Sequence, residues 1–213
     1  MRILIVSATQ IEVELAKEQL KDNYNISFLV TGVGILASAM ALTKYLTINQ
    51  PQLVIQVGIA GCFNQNTALG TVVLVKEEIL GDIGVEEDGI WKDLFHSKLC
   101  DLDTPPFTKG KLVNAHLLSL NKLDLPTVTA ITVNEITTRP QRILQQKLIY
   151  NPQIETMEGA ALHYICNEFY IPYLQIRGLS NYIGERDKSR WKIKEAVENS
   201  NKVLLEVLNS YVL

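Results

Sequence analysis

The run Leu53-Val54-Ile55-Gln56-Val57, followed at once by Gly58-Ile59-Ala60-Gly61, constrains the fold more than any other stretch of the chain. Continuous apolar character over so few residues suits a strand covered on both faces. Comparable runs at 2–7, 25–30, 127–133 and 172–179 alternate with segments of helical period at 10–21, 36–47, 139–149, 157–169 and 191–208. Pro140 fits the first turn of its helix. The alternation predicts an α/β fold: a single domain over 1–213 with a mixed, mostly parallel central sheet flanked by helices. Residues 71–76 and 77–83 read as two further strands. The stretch 86–110, with Pro105-Pro106, reads as a long irregular loop.

Composition narrows the class. The chain has 213 residues, 47% hydrophobic and 20% charged, with a formal net charge of -3. It carries no basic block, so neither a nucleic-acid nor an anionic-membrane partner is expected. The opening MRILIVSATQ reads as a buried strand rather than a signal peptide. No apolar stretch approaches the roughly 18 residues of a membrane span. Cys62, Cys100 and Cys166 have neither metal-site nor disulfide spacing and read as buried thiols. A reducing, cytoplasmic setting is the expectation, with no metal and no cofactor.

The motifs are ambiguous one by one. Gly32-Val33-Gly34-Ile35-Leu36-Ala37 fits a loose dinucleotide fingerprint, but the acid expected about 20 residues later is replaced by Asn49-Gln50-Pro51-Gln52. A tight glycine turn near a ligand or a neighbouring strand fits better. Gly58-Ile59-Ala60-Gly61 lacks the Lys-Ser/Thr pair of a phosphate loop. Thr9-Gln10-Ile11-Glu12 reads either as a capping box or as a site carboxylate, and Glu158 after Thr156 has the same two readings. Asn181 reads as a turn residue or a site residue. His96, His116 and His163 share no catalytic spacing, and His163 falls in a helical pattern as a packed residue. Ser7 lacks the glycines of a nucleophile elbow. One placement joins the ambiguous residues: Glu12, Gly32, Gly34, Gly58, Gly61 and Asn181 all follow carboxyl ends of predicted strands, where open α/β sheets bind ligands.

Taken in order, these segments resemble the nucleoside phosphorylase and nucleosidase superfamily. The resemblance rests on Ser7-Ala8-Thr9-Gln10-Ile11-Glu12, Gly32-Val33-Gly34, Gly58-Ile59-Ala60-Gly61, Glu155-Thr156-Met157-Glu158-Gly159-Ala160 and Arg177-Gly178-Leu179-Ser180-Asn181, across nearly the whole chain. Within it, Glu77-Glu78-Ile79-Leu80-Gly81-Asp82, Ser180-Asn181-Tyr182-Ile183-Gly184 and the tail Arg186-Asp187 with Arg190-Trp191 are similar to futalosine hydrolases of menaquinone biosynthesis. A second similar group is the methylthioadenosine/S-adenosylhomocysteine nucleosidases. They carry Asp where this chain has Asn181. A purine nucleoside phosphorylase is a third reading.

The resemblance implies a purine nucleoside substrate and cleavage of its N-glycosidic bond. It implies that Glu12 activates water and that Glu158 binds the ribose hydroxyls. Met157 would pack on the sugar and Asn181, beside Ser180, would read the base. Ile59 and the segment from Ile131 to Ile136, with Val133 and Ile136 foremost, would line the purine. Asn fits a 6-oxopurine and Asp a 6-aminopurine, because an amide donates to the 6-oxo group. Phosphorolysis needs an anion pocket, and only Arg139 and Arg177 lie near the right strand ends. Arg186, Lys188 or Arg190 would either meet the aromatic carboxylate of futalosine or form a solvated charged turn. Relatives imply a homodimer or larger homo-oligomer.

Overall fold

A computed structural model describes residues 1–211. Along the chain run β1 (Ile3–Ser7), α1 (Glu14–Gln19), β2 (Ile26–Val30), α2 (Ile35–Ile48), β3 (Leu53–Cys62) and β4 (Val72–Leu80). A hairpin of β5 (Gly84–Glu87) and β6 (Ile90–Asp93) follows, then β7 (Leu112–Val113), α3 (Leu117–Leu120), β8 (Thr127–Thr132) and α4 (Pro140–Tyr150). The rest is β9 (Ile154–Thr156), α5 (Gly159–Glu168), β10 (Tyr173–Tyr182), a 3-10 turn at Lys188–Arg190 and α6 (Ile193–Ser210).

The main sheet has the order β10-β4-β8-β9-β3-β1-β2, with β7 on β4 and a further pairing of β10 with β3. That last pairing closes β3, β10, β4, β8 and β9 on themselves. β3 is long enough to serve three neighbours. Leu53–Gln56 lie against β1, Val54–Cys62 against β10, and Gly61–Cys62 against β9. Pairings β1–β2, β1–β3, β3–β10, β4–β8 and β8–β9 are parallel, and β10–β4, β3–β9 and β4–β7 are antiparallel. The sheet is therefore mixed and mostly parallel, flanked by helices, as the alternation of apolar runs required.

Both faces are covered, which explains the unbroken apolar runs. Ile3, Ile5, Ile55 and Val57 pack with Val13, Ala16, Leu204 and Val207 from α6 and the α1 region. Leu4, Val6 and Val54 point the other way, onto Leu42 and Leu46 of α2 and Leu162 and Cys166 of α5. Cys62 and Cys166 are buried as expected, whereas Cys100 is only half-buried in a turn; all are free thiols. No helix among the described residues is long and apolar enough to cross a membrane.

The elements depart from the sequence expectations at the places that build the site. β3 does not stop at Val57 but runs through Gly58-Ile59-Ala60-Gly61, and β10 runs through Ser180-Asn181. In place of two strands at 71–76 and 77–83 there is one, β4 (Val72–Leu80), whose register on β8 shifts between Val75 and Glu77. The three-residue β9 was not foreseen, and α5 begins at Gly159, which leaves Met157 and Glu158 in the link before it. The first helix starts at Glu14 and the last at Ile193, each later than expected. The stretch 86–110 is not wholly irregular, since it shares the β5–β6 hairpin.

Candidate active site

Glu12 sits in the turn between β1 and α1. Its Oε2 accepts from the Thr9 amide at 3.0 Å and the Thr9 hydroxyl at 2.9 Å, the back-reach expected of a capping box. Its Oε1 accepts from the Ile59 amide on β3 at 3.1 Å, a contact that no cap requires. A carboxylate offers about four lone-pair positions, so Oε1 retains room for a further donor such as water. Gly58 makes this approach possible. A Cβ there would lie 2.7 Å from Glu12 Oε1 and 2.6 Å from the Arg177 guanidinium.

Glu158 occupies the N-cap of α5, with its Oε1 accepting from the Gly34 amide at 3.0 Å. Gly34 has φ +94°, a conformation open to glycine and strained for other residues. The Gly32-Val33-Gly34 turn thus serves to bring one amide to this carboxylate. Arg177 lies 3.9 Å from the other oxygen, Oε2. Burial pushes the Glu158 carboxyl above the usual range, against the opposing influence of Arg177 and the Gly34 amide.

A buried polar cluster fixes the start of α5. Glu78 is fully buried and accepts from the Thr132 hydroxyl at 2.7 Å, the Gln175 amide at 2.8 Å and the Thr156 hydroxyl at 3.2 Å. The two threonines in turn accept the first amides of the helix, Ala160 to Thr132 at 2.9 Å and Gly159 to Thr156 at 3.3 Å. Burial pushes the Glu78 carboxyl up. Sequence reasoning assigned Glu78 no role: it follows Lys76 and Glu77 in β4, and nothing in that charged run marks it as the fully buried member. His163 packs as expected, with Nδ1 2.9 Å from the Leu112 carbonyl and its ring edge-on to Tyr173.

Asn181 reaches the site through a bulge. β10 and β3 run in register to Leu179–Ala60, then resume at Asn181–Gly61, so Ser180 is the extra residue. The Ser180 hydroxyl lies 2.8 Å from Asn181 Oδ1, and Asn181 Nδ2 donates to the Tyr182 carbonyl at 3.2 Å. Gly61 also pairs with Glu155 of β9, which puts Asn181, Gly61 and Glu155 in one row across three strands.

These residues converge on a pocket of about 310 Å³, within the size range of small-molecule sites. Glu12, Ile59, Ile136, Met157, Glu158, Ser180 and Asn181 all line it. Val133 does not. Its side chain is fully buried with Phe63 and Ile131, and its amide donates to the Thr156 carbonyl at 3.0 Å. Of the two residues placed foremost in this segment, only Ile136, 45% exposed, is on the pocket wall, which corrects the expectation for Val133. Glu155, Arg186 and Trp191 also line the pocket. Of the basic residues named for the substrate's far end, Arg186 is the one on the wall, its guanidinium 5.5 Å from the Trp191 ring centre. Arg190 instead pairs with Glu185 at 2.9 Å, and Lys188 is absent from the lining. The two candidates for an anion pocket are otherwise engaged. Arg177 is buried against Gln56 Oε1 at 2.6 Å, and exposed Arg139 pairs with Glu135 at 3.3 Å.

An α/β sheet whose strand ends bring two largely buried carboxylates and a side-chain amide to one apolar pocket defines an enzyme acting on a small organic molecule. The chain belongs to the phosphorylase superfamily, whose family model matches residues 2–209. Its curated relatives include the futalosine hydrolase of Thermus thermophilus, 29% identical over 80% of this chain and 75% of that one. They also include the 5'-methylthioadenosine/S-adenosylhomocysteine nucleosidase of Tolumonas auensis, 23% identical over 98% and 99%. The fold matches the futalosine hydrolase of Helicobacter pylori, with TM-score 0.82 and 16% identity over 99% of this chain and 98% of that one. It also matches the nucleosidase of Colwellia psychrerythraea in complex with adenine, with TM-score 0.81 and 19% identity over 98% and 95%. The chain is a nucleosidase-type member of the superfamily.

Proposed function

We propose that this chain hydrolyses the N-glycosidic bond of futalosine, releasing hypoxanthine and dehypoxanthine futalosine in menaquinone biosynthesis. The observation that carries this reading is the amide of Asn181 on the pocket wall, held beside Ser180 by the β10 bulge. An amide donates to the 6-oxo group of hypoxanthine, and its carbonyl accepts from a protonated ring nitrogen. A 6-aminopurine would set donor against donor there.

The chemistry follows from the geometry. Breaking the bond builds positive charge on the ribose and negative charge on the base. Glu12, with room at Oε1, takes a proton from the water that attacks the anomeric carbon. Glu158, oriented by the Gly34 amide, accepts from the ribose hydroxyls and places negative charge near the developing cation. Met157 packs on the sugar, while Ile59 and Ile136 flank the base. Arg186 and Trp191 suit the aromatic carboxylate at the far end of futalosine. The engagement of Arg177 and Arg139 within the protein favours water over phosphate as nucleophile.

The alternative substrate is methylthioadenosine or S-adenosylhomocysteine, supported by the longer span of the Tolumonas relative. A competition assay separates the two. With futalosine and methylthioadenosine in one mixture, the ratio of kcat/KM is expected to favour futalosine by about 100-fold or more, since a buried polar mismatch can reach about four orders of magnitude. Preferential release of adenine overturns the assignment. On this reading the enzyme works in the cytoplasm, as a homodimer or larger assembly. Exposed Ile11, Val33, Leu36 and Met40, the first two on the pocket wall, support a self-association surface.

A further inference from the structure

A purine leaves readily only as a neutral molecule, so a proton must reach one of its ring nitrogens as the bond breaks. On the reading above, which this inference extends, the base end carries Asn181, whose amide does not titrate. The site therefore needs an acid that the assigned residues do not supply. Glu12 is committed to the water, and Glu158 to the ribose.

Glu155 fits that requirement. It lines the pocket yet is only 6% exposed, and its buried Oε2 has no hydrogen-bond partner among the described residues. A carboxyl group in a fully buried strand without a partner has no structural reason to be there. Its position is set by register. Glu155 pairs with Gly61, and Gly61 pairs with Asn181. Residues paired in this way point to the same side of a sheet. Glu155 and Asn181 thus flank Gly61 from strands about 9.6 Å apart, twice the usual strand spacing. Between them lies an apolar floor. Asn181 Nδ2 comes within 3.4 Å of where a Gly61 Cβ would stand, and the Ile183 side chain covers the same glycine.

We propose that Glu155 is the general acid of this site, delivering its carboxyl proton to a ring nitrogen of the departing purine while Asn181 reads the base. As the C–N bond breaks, its electron pair passes to the purine, which takes the proton from Glu155. The water oxygen bonds to the anomeric carbon and its proton goes to Glu12. Return of one proton to Glu155 and loss of one from Glu12, both through solvent, restores the starting state. The environment supports the role. Burial, reinforced by the Asp82 charge, pushes the Glu155 carboxyl up to about 7, where a general acid at neutral pH works best. The other titratable or charged side chains on the pocket wall are Glu12, Glu158, Glu185 and Arg186.

The test is the pH profile of kcat for wild type, Glu155→Gln and Glu155→Asp, run on whichever of futalosine or methylthioadenosine the wild type cleaves. Wild type is expected to lose activity as pH rises past the Glu155 pKa. Glu155→Gln is expected to lose about 100-fold in kcat, in line with the usual size of acid catalysis, with KM changed less than about threefold and the alkaline limb gone. Glu155→Asp is expected to restore part of the rate together with the limb. A Glu155→Gln variant within about threefold of wild type in kcat, one that retains the limb at a lower rate, or a loss confined to KM overturns the proposal. Because the substrate is chosen by observed cleavage, adenine release overturns the futalosine assignment and leaves this test intact.

Discussion

The Gly34 amide donates to Glu158 Oε1 at 3.0 Å, and it does so from a residue at φ +94°. Gly34→Ala keeps the chemical donor but strains the turn that aims it. A non-glycine residue in a sparsely populated region costs about 1–3 kcal/mol. The variant is expected to melt several degrees lower and to lose about tenfold or more in kcat/KM for the nucleoside, read by calorimetry and by base release. Unchanged kinetics would detach the Gly32-Val33-Gly34 turn from the site.

Glu12→Gln separates the two contacts of this side chain. The amide oxygen can still accept from Ile59, but the new amide nitrogen faces the Thr9 donors. Loss of the base is expected to lower kcat by about 100- to 10,000-fold, with a small change in KM. Steady-state kinetics decides, and a kcat within about threefold of wild type rules Glu12 out as the base.

Gly159→Ala tests the Glu78 cluster. An added Cβ would fall on the Glu78 carboxyl and the Gln175 amide. Overpacking and a disturbed buried carboxyl together are expected to remove about 3 kcal/mol or more of stability, measured by urea unfolding. A loss below about 1 kcal/mol would mean that the cluster yields at little cost.

Glu155 also sets a pH dependence of stability. Its folded pKa of about 7 lies above the unfolded value, near 4.3 (about that of a free Glu). Between the two the folded chain holds the extra proton, so this group's contribution to stability falls as pH rises through that window and levels off above it. The full span is about 4 kcal/mol. Glu155→Gln removes it, so the variant is expected to gain on wild type between about pH 4.5 and 7.5 in urea midpoint. A difference between the two chains that does not change with pH contradicts the shift.

Much of the fold was legible because burial on both faces writes itself as runs such as Leu53–Val57, and because a parallel sheet forces helices between them. Glu12 and Asn181 stood out by their place after predicted strand ends, whereas Met157 and Glu158 stood out only through the resemblance to the superfamily. What escaped were effects of partners distant in sequence. Glycine weakens strand interiors, so Gly58 and Gly61 read as the end of the strand. They lie within β3 because β10 and β9 supply the ladder, and because Glu12, Arg177 and Ile183 need the space a Cβ would take. β9 is too short to show a period, which is why Glu155 passed without a role. The burial of Val133 was not legible because it depends on a neighbouring strand, whose Thr156 carbonyl takes its amide.

The most direct test is release of base from futalosine with and without inorganic phosphate, read by chromatography. Hypoxanthine at equal rates in both conditions is the expected result, because Arg177 is buried against Gln56 and neither it nor Arg139 is on the pocket wall, which leaves water as the nucleophile in this account. A strict need for phosphate, or no cleavage of futalosine beside rapid release of adenine from methylthioadenosine, contradicts it.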